Sequence, residues 1–484
     1  MNIPLIIAIV YVVITTAITV YFSNKNNATS QFFIANSSLG TFMVAALLFA
    51  SLIGGSSTLG AAQIAFNRGI SAVATTWGQA LGCLVCFFCL GNFYRAMSKK
   101  RGVMSVPEGF RFLFDRPTHT VVSFAMIVAC GLIYATTPKA IGTIFAAMTG
   151  ANVTLATWIA GAILVVMTLT GGLKGIAFMN VINMMIMFLG MLVICVKSVG
   201  MSGGMAAMQA AVSPEYFNLM NPSVELITST MLSGVFCGCI SNLFVGGILG
   251  ADSHKSAKWG AIIAFCCWIP FALFPAFTGI AAKVVMPDTP AASAMYTISN
   301  QMGPLYGGLA SVIVISACFS TGCTFLVNIA TMVTRDIYVQ LQPGTTDHQQ
   351  LIFGKVMTAI LGVIFIYTGV VGGPILGIIN DAMVIQLQCA LVLLLSLAWP
   401  RLTRQGAFWG TLVGTVGGIV WYLLDHPFGI SGFWPCGAVT ILIAGLVTHI
   451  TSKPGEINPG YLEYVKIRNE YKAEEAQTVS AANN

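Results

Sequence analysis

The stretch that decides the fold reads Ala50-Ser51-Leu52-Ile53-Gly54-Gly55-Ser56-Ser57-Thr58-Leu59-Gly60. It lies in a long apolar run, where clustered glycine and serine weaken a helix and free backbone carbonyls. A second stretch of this kind extends from Ser233-Gly234 to Gly246-Gly247 and includes Ser241-Asn242. Both stretches predict helices that are interrupted within a membrane, although glycine-rich helices also occur in ordinary tight bundles.

The composition places nearly all of the chain in a lipid bilayer. Of its 484 residues, 57% are hydrophobic and only 8% are charged, whereas a soluble domain carries about 25% charged residues. The 13 cysteines lie mostly in apolar runs, where they act as small hydrophobes, and they show no metal-binding spacing. No nucleotide-binding loop is visible, which argues against an ATP-driven pump.

Thirteen apolar runs are long enough to cross about 30 Å of hydrocarbon, and we interpret the first as a retained helix, not a signal peptide. Eighteen of the 22 Lys and Arg residues fall in alternate loops, whereas Arg68, Lys197 and Lys283 fall in the opposite set. Because basic residues collect in cytoplasmic loops, the net charge of +7 reflects topology and not nucleic-acid binding. We predict a plasma or inner membrane protein with its N-terminus outside and its C-terminus in the cytoplasm. The predicted spans are residues 3–22, 40–66, 70–93, 119–148, 153–172, 174–199, 226–251, 256–284, 304–334, 355–371, 374–399, 406–424 and 431–451.

The two interrupted helices divide the chain into two related units. Five helices begin with each interruption, and because an odd number separates corresponding helices, the units are inverted relative to each other. Secondary transporters with this plan bind ion and solute at the interruptions. The predicted segments are an extra N-terminal helix and loop (1–39), a first five-helix repeat (40–199), an external loop (200–225), a second five-helix repeat (226–399), two C-terminal helices (400–452) and a cytoplasmic tail (453–484).

A pair of adjacent hydroxyls is the first candidate for an ion site. It occurs in Ala317-Cys318-Phe319-Ser320-Thr321, inside another apolar run. Buried hydroxyls must bond to something, and oxygen ligands suit a hard cation such as Na⁺. The alternative is that both hydroxyls bond back to the preceding helical turn, which is common in membrane helices.

Several motifs in this order and topology together resemble the sodium:solute symporter family, whose members include proline, pantothenate, choline and sugar transporters. The resemblance covers nearly the whole chain. It implies an all-α polytopic membrane protein with a leucine-transporter-like 5+5 inverted repeat, one extra helix before the repeats and two after. The motifs are Ala50 to Gly60, Ser105-Val106-Pro107-Glu108, Gly171-Gly172-Leu173-Lys174, Ala317 to Tyr338, and Arg401 to Ala407.

The resemblance also implies a sodium site between the first interrupted helix and the eighth helix of the core. Carried over residue by residue, its ligands are the backbone carbonyls of Ala50, Ile53 and Ala317 and the hydroxyls of Ser320 and Thr321. Inward movement of Na⁺ would then drive solute uptake.

One departure from the family bears on the number of ions. Many members carry an aspartate shortly after the Gly-Gly-Leu motif, and in some of them it helps to hold a second Na⁺. This chain has Asn180 there, with Cys323-Thr324 where further hydroxyls are expected. We therefore predict one Na⁺ per cycle.

Two ionisable residues at membrane depth are candidates for solute contact, because such groups are costly there. Lys139 either receives a substrate carboxylate or extends its ammonium to the outer interface. We interpret Asp381 first as part of an outer water-filled vestibule, and alternatively as a contact for a substrate amine or for Lys139. Trp77 and Phe244 are candidate gating aromatics. The candidate substrate contacts are Leu52, Gln79, Lys139, Asn242, Asp381 and Gln386, with Gln388 a further polar candidate.

These observations predict a Na⁺-coupled symporter of a small organic solute that works by alternating access, and not an enzyme. Lys139 favours an amino acid or a monocarboxylate over a sugar. Two alternatives stay open: a membrane sensor that binds solute without transport, and a proton-coupled symporter. The expected partners are the solute and the lipid bilayer, with no obligate protein partner.

Overall fold

The computed structural model describes residues 2–23, 39–342, 344–373, 375–453 and 455–482; Lys25 of the predicted orientation pattern lies outside them. Within these ranges the chain is helical, and the only pairing of extended backbone is an isolated bridge between Leu39 and Ala251. The all-α prediction is therefore confirmed. The helices are α1 (Ile3–Ser23), α2 (Thr41–Leu52), α3 (Ala61–Arg68), α4 (Ala74–Val85), α5 (Gly91–Arg101), α6 (Val106–Leu113), α7 (Arg116–Thr149), α8 (Val153–Met201), α9 (Met205–Ala211), α10 (Val224–Cys239), α11 (Asn242–Gly250), α12 (His254–Val285), α13 (Ala294–Gln301), α14 (Pro304–Met332), α15 (Val339–Leu341), α16 (Asp347–Val371), α17 (Ile375–Ala398), α18 (Arg404–Leu423), α19 (Phe433–Thr451) and α20 (Pro459–Ala482).

The number of membrane crossings differs from the predicted thirteen when it is counted by length and composition. Among the described residues, ten helical segments are long and apolar enough to span a membrane, or eleven if the bent pair α10 and α11 is one span. The segment Ser56–Arg101 counts once, although the chain turns at Gly69, where φ is 81°. The apolar helices Ile3–Ile18 and Thr41–Leu52 are shorter than this length. The exact count of thirteen stays a prediction.

The predicted connection at residues 171–174 is not visible as a break in the backbone. Helix α8 runs for 49 residues without interruption, which at about 1.5 Å per residue is more than twice the hydrocarbon thickness. Two separate apolar spans, Val153–Thr170 and Met179–Met201, fall within it. The side chains of residues 171–178 lie outside the described part.

Both predicted interruptions are present. Helix α2 ends at Leu52, Ile53 is extended with φ −81° and ψ 97°, and a wide turn over Ser56–Gly60 leads into α3. In the second unit, α10 ends at Cys239 and α11 begins after a break of two residues with a bend of 41°. Each break leaves carbonyls without helical partners.

Glycine allows the two units to pack closely. Gly78 and Gly82 on α4 face Gly234 and Gly238 on α10, and a Cβ added at Gly78 would lie 2.3 Å from the Met231 carbonyl oxygen. Small residues four apart permit this backbone approach between membrane helices. Substitution by alanine would push the helices apart.

Helix α14 lies at the centre of the bundle. In its most apolar stretch of 18 residues 94% of the residues are buried, whereas in the corresponding stretch of α16 only 28% are buried. The outer helices instead expose large apolar side chains, among them Tyr367, Val416 and Leu442, as lipid-facing helices do. The hydroxyls of α14 are therefore sealed from lipid and face the interrupted helices.

Candidate functional site

The broken end of α2 meets the middle of α14 through side-chain hydroxyls. Ser320 Oγ lies 2.8 Å from the Ala50 carbonyl oxygen and 2.9 Å from that of Ala317, and Thr321 Oγ1 lies 3.0 Å from the Ile53 carbonyl oxygen. All five predicted ligand residues therefore converge on one place. Both side chains are almost fully buried.

This geometry combines the two interpretations of the hydroxyl pair. Ser320 bonds back to its own helix at Ala317, as the alternative of bonding to the preceding turn predicts, but it also bonds to Ala50 at the end of α2. Thr321 donates to Ile53, 268 residues away in sequence. The five oxygens carry no net charge, so the cluster offers a neutral oxygen cage of the kind that suits a hard monovalent cation.

A cavity beside the cluster brings four of the six predicted substrate contacts together. Leu52, Gln79, Asn242 and Gln386 all line it, and Thr321 connects it to the oxygen cluster. The empty space within it, including space open to solvent, is about 620 Å³. The remaining lining residues are Gly54, Ser56, Cys130, Ile133, Thr136, Thr137, Cys237, Gly238, Ser241, Leu243, Phe244, Phe325, Asn328 and Ile379.

Two thiols hold Gln386 in this cavity. Cys237 Sγ donates to Gln386 Oε1 at 2.6 Å, and Gln386 Nε2 lies 3.5 Å from Cys130 Sγ. An amide has two donor hydrogens and an acceptor oxygen with two lone pairs, whereas thiols are weak partners. The Gln386 amide thus keeps capacity for a further hydrogen bond with a solute.

The structure places Lys139 and Asp381 elsewhere. Lys139 Nζ donates to the carbonyls of Gly372 and Gly373 at 2.5 and 2.7 Å, at the end of α16. Asp381 Oδ1 lies 3.3 Å from His426 Nε2. Neither residue lines the cavity, so the geometry gives no support to either as a substrate contact, and Lys139 and Asp381 do not pair.

The other polar and aromatic candidates divide between packing and the cavity. Gln388 donates to the Val384 carbonyl and accepts from Thr440, and Trp77 Nε1 donates to the Ile269 carbonyl. These bonds occupy both residues in helix packing. Phe244 lines the cavity and is fully buried, with its ring 5.9 Å from that of Trp268.

Asn180 lies behind the oxygen cluster. It lines a small cavity with Ser320 and Cys323, and its Nδ2 lies 3.4 Å from Ser51 Oγ. Its buried Oδ1 has no hydrogen-bond partner among the described residues. A carboxylate at this position would put a charge within this cavity, and the asparagine keeps it neutral.

A family model named the sodium:solute symporter family matches residues 32–414. The chain belongs to the sodium:solute symporter family. It is similar to solute carrier family 5 member 4 of Rattus norvegicus, with 22% identity over 87% of this chain and 71% of the relative. It is also similar to the sodium/glucose cotransporter of Vibrio parahaemolyticus, with 23% identity over 94% of this chain and 91% of the relative.

Solved structures confirm the fold predicted for a member of this family. A Na⁺-coupled sialic acid symporter in a substrate-bound outward-open state matches with a TM-score of 0.78 and 16% identity over 93% of this chain and 98% of that one. MhsT in complex with L-phenylalanine matches with a TM-score of 0.54 and 15% identity over 85% of this chain and 99% of that one. At these identities the likeness concerns the fold alone: a leucine-transporter-like, multi-pass membrane protein.

This family member has a second cavity that sequence reasoning missed. It lies next to the first, shares Asn242, Leu243 and Asn328 with it, and is lined further along by Glu108 and Arg335. We call this second cavity the vestibule. The spacing of Asn328, eight residues after Ser320, is the signal that was available, because residues at this spacing share a helix face.

An ion pair lies at the far end of the vestibule. Arg335 Nη2 lies 3.8 Å from Glu108 Oε1, and Glu108 Oε2 accepts the Met104 backbone N–H at 2.6 Å. Burial raises the pKa of the Glu108 carboxyl, and the nearby Arg335 guanidinium opposes this rise. A buried pair, His119 Nε2 and Asp336 Oδ1 at 3.4 Å, lies beside it.

Proposed function

We propose that this protein carries one Na⁺ and one small organic solute into the cell per cycle by alternating access. The proposed sodium ligands are the carbonyls of Ala50, Ile53 and Ala317 and the hydroxyls of Ser320 and Thr321. The observation that carries the proposal is the convergence of these five oxygens where α2 breaks against α14, with hydroxyl-to-carbonyl distances of 2.8–3.0 Å.

A single neutral site is consistent with coupling. One charge that moves through 100 mV of membrane potential releases about 2.3 kcal/mol, and each 1.4 kcal/mol corresponds to about a tenfold gradient. Asn180 and Cys323 supply neither a carboxylate nor a hydroxyl behind the site, which supports one ion instead of two.

The cavity supports a solute without net charge. None of its lining residues carries a formal charge, and a buried ion without a counterion costs far more than a hydrogen-bonded neutral group. The expectation of an amino acid or a monocarboxylate depended on Lys139, whose ammonium is bound to carbonyls of Gly372 and Gly373. The relatives named as sodium/glucose cotransporters are compatible with a neutral solute.

The proposed orientation keeps the N-terminus outside and the C-terminus in the cytoplasm of a plasma or inner membrane. The distribution of Lys and Arg along the chain supports it. It places α6, the vestibule and α20 on the cytoplasmic side.

The test is uptake into proteoliposomes that contain the purified chain. We would compare D-glucose, myo-inositol, L-proline, L-alanine and pyruvate, with an inward Na⁺ gradient and with an equal choline gradient. Sodium-dependent uptake of one compound, lost when Ser320 and Thr321 are both replaced by alanine, is the expected result. Binding without counterflow would favour a sensor, and uptake driven by a pH gradient without sodium would favour proton coupling.

A further inference from the structure

Asn242 lies where the solute cavity meets the vestibule, and it also bonds to α6. Its side chain lines both the solute cavity and the vestibule, as does that of Asn328. Only Asn242 also bonds to α6: its Oδ1 accepts the Val106 backbone N–H at 2.9 Å. On its other side, Nδ2 lies 3.1 Å from Met332 Sδ on α14.

The bond to Val106 satisfies a helix end. The first N–H groups of a helix have no partner within it. In α6, Ser105 Oγ accepts the Glu108 N–H, and Asn242 accepts that of Val106. Val106 is fully buried, so loss of Asn242 Oδ1 would leave a buried donor without an acceptor.

Helix α6 forms one wall of the vestibule. Ser105 and Glu108 at its start line this cavity together with Asn242. The Glu108 carboxylate also faces Arg335 beyond the end of α14. Movement of α6 away from Asn242 would therefore widen the vestibule at the point where it joins the solute cavity.

We propose that Asn242 is a positioning residue that couples solute to the cytoplasmic gate. The Asn242 amide both faces the solute cavity and accepts a hydrogen bond from α6. A solute that hydrogen-bonds to this amide therefore displaces the Val106 N–H, and α6 can then move away and open the vestibule. The same side chain thereby links the binding of the solute to its release into the cytoplasm. The proposal rests on the proposed function for its direction, but the bond to α6 can be tested without a transported solute.

The test is hydrogen exchange of the peptide that covers residues 106–113, measured by mass spectrometry on full-length protein in lipid nanodiscs. In Asn242→Ala, exchange of this peptide should rise about tenfold, because a buried donor loses its acceptor and α6 opens locally. Asn328→Ala is the matched control, since Asn328 lines the same two cavities without a bond to α6. Exchange of residues 404–451 should stay unchanged in both variants, which excludes a general loss of stability.

Two further variants test whether Asn242 positions α6. Asn242→Asp retains the acceptor and should restore protection of residues 106–113. If Asn242→Ala does not fold, Met332→Leu removes the sulfur that holds Asn242 Nδ2 and should raise exchange of the same peptide by a smaller factor. No rise in Asn242→Ala or, where that variant does not fold, in Met332→Leu would overturn the proposal, and so would an equal rise in Asn328→Ala.

The coupling itself is tested in the wild-type chain with Na⁺ and each of the five compounds named above. A compound that shows sodium-dependent uptake should raise hydrogen exchange of residues 106–113 in the wild-type chain. In Asn242→Ala the same compound should cause no further rise in this exchange. A transported compound that leaves this exchange unchanged would refute the coupling while symport itself stands. Failure of all five in uptake would count against the proposed solutes, and the variant experiment would still decide the bond to α6.

Discussion

Replacement of Ser320 by alanine tests the proposed sodium site most directly. The change removes the Ser320 hydroxyl, which is one of the five proposed oxygen ligands and bonds to the Ala50 and Ala317 carbonyls at 2.8 and 2.9 Å. A polar contact to a charged group contributes about 1.5–3 kcal/mol. At about 1.4 kcal/mol per decade, sodium affinity should fall by roughly 10- to 150-fold.

The assay is the rise in unfolding temperature of purified protein as Na⁺ is titrated against choline at constant ionic strength. A ligand at free concentration c that binds only the folded state stabilises it by RT ln(1 + c/Kd), so the sodium concentration at which the unfolding temperature begins to rise reports Kd. The variant should also unfold at a lower temperature without sodium, because it loses the bond between α14 and α2.

The matched control is Ser311→Ala, on the same helix. Ser311 is buried and bonds back to the Gly307 carbonyl at 2.9 Å, but it does not contact α2. It should lower the unfolding temperature without a shift in the sodium concentration at which stabilisation begins. The sodium assignment would be refuted if stabilisation began at the same sodium concentration in Ser320→Ala, Ser311→Ala and the unmodified chain.

Three other changes have defined outcomes. Asn180→Asp places a carboxylate behind Ser320, so the Hill coefficient of sodium-dependent uptake should rise from about one toward two; an unchanged coefficient would show that a carboxylate there does not create a second site. Lys139→Gln should lower the unfolding temperature through lost bonds to the α16 carbonyls, while the ability of pyruvate to compete for uptake stays as it was; a change in that competition would return Lys139 to the solute site. Lys100→Glu should release α20, seen as faster exchange of residues 459–474, and the added change Glu474→Lys should restore it, whereas failure of the swap would show that the pair at 2.5 Å does not hold the helix.

The α20 contact also has a pH dependence with a definite sign. Hydrogen bonds from Lys100 and Lys99 lower the pKa of the Glu474 carboxyl. A carboxyl with a lowered pKa in the folded state stabilises that state above its ordinary pKa and loses the effect as pH falls through the lowered value. Docking of α20 should therefore weaken in acid, and also in high salt because the groups are exposed.

The interruptions and the sodium candidates were predictable because both follow from local chemistry. Glycine and serine within an apolar run indicate a break wherever they occur, and Ser320-Thr321 needed only an acceptor to become a candidate site. The inverted order of helices then placed Ser320 and Thr321 opposite Ala50 and Ile53. Residue type, span order and family resemblance together were sufficient to predict the interruptions and the proximity of these residues.

The solute contacts were less predictable because residue type does not show which acceptor is nearest. The charge of Lys139 at membrane depth predicts a solute contact, but its ammonium donates to two backbone carbonyls at the end of α16. A carbonyl is present at every residue, so the sequence cannot indicate which ones are free. Asn242 lines the expected cavity, yet its bond to Val106 depends on the position of α6, a helix 136 residues away in sequence.

The hydrogen bonds at the break explain why sodium binding there should be modest. Without an ion, the hydroxyls of Ser320 and Thr321 already satisfy the carbonyls that the break at Ile53 sets free. An ion must displace these bonds before the same oxygens can coordinate it, so binding exchanges one set of contacts for another. A buried break without the hydroxyls would leave these carbonyls unsatisfied, which is costly. In the proposed site the hydroxyl pair would therefore serve both the empty and the sodium-bound state, and a small difference in free energy between the two states would allow sodium to leave.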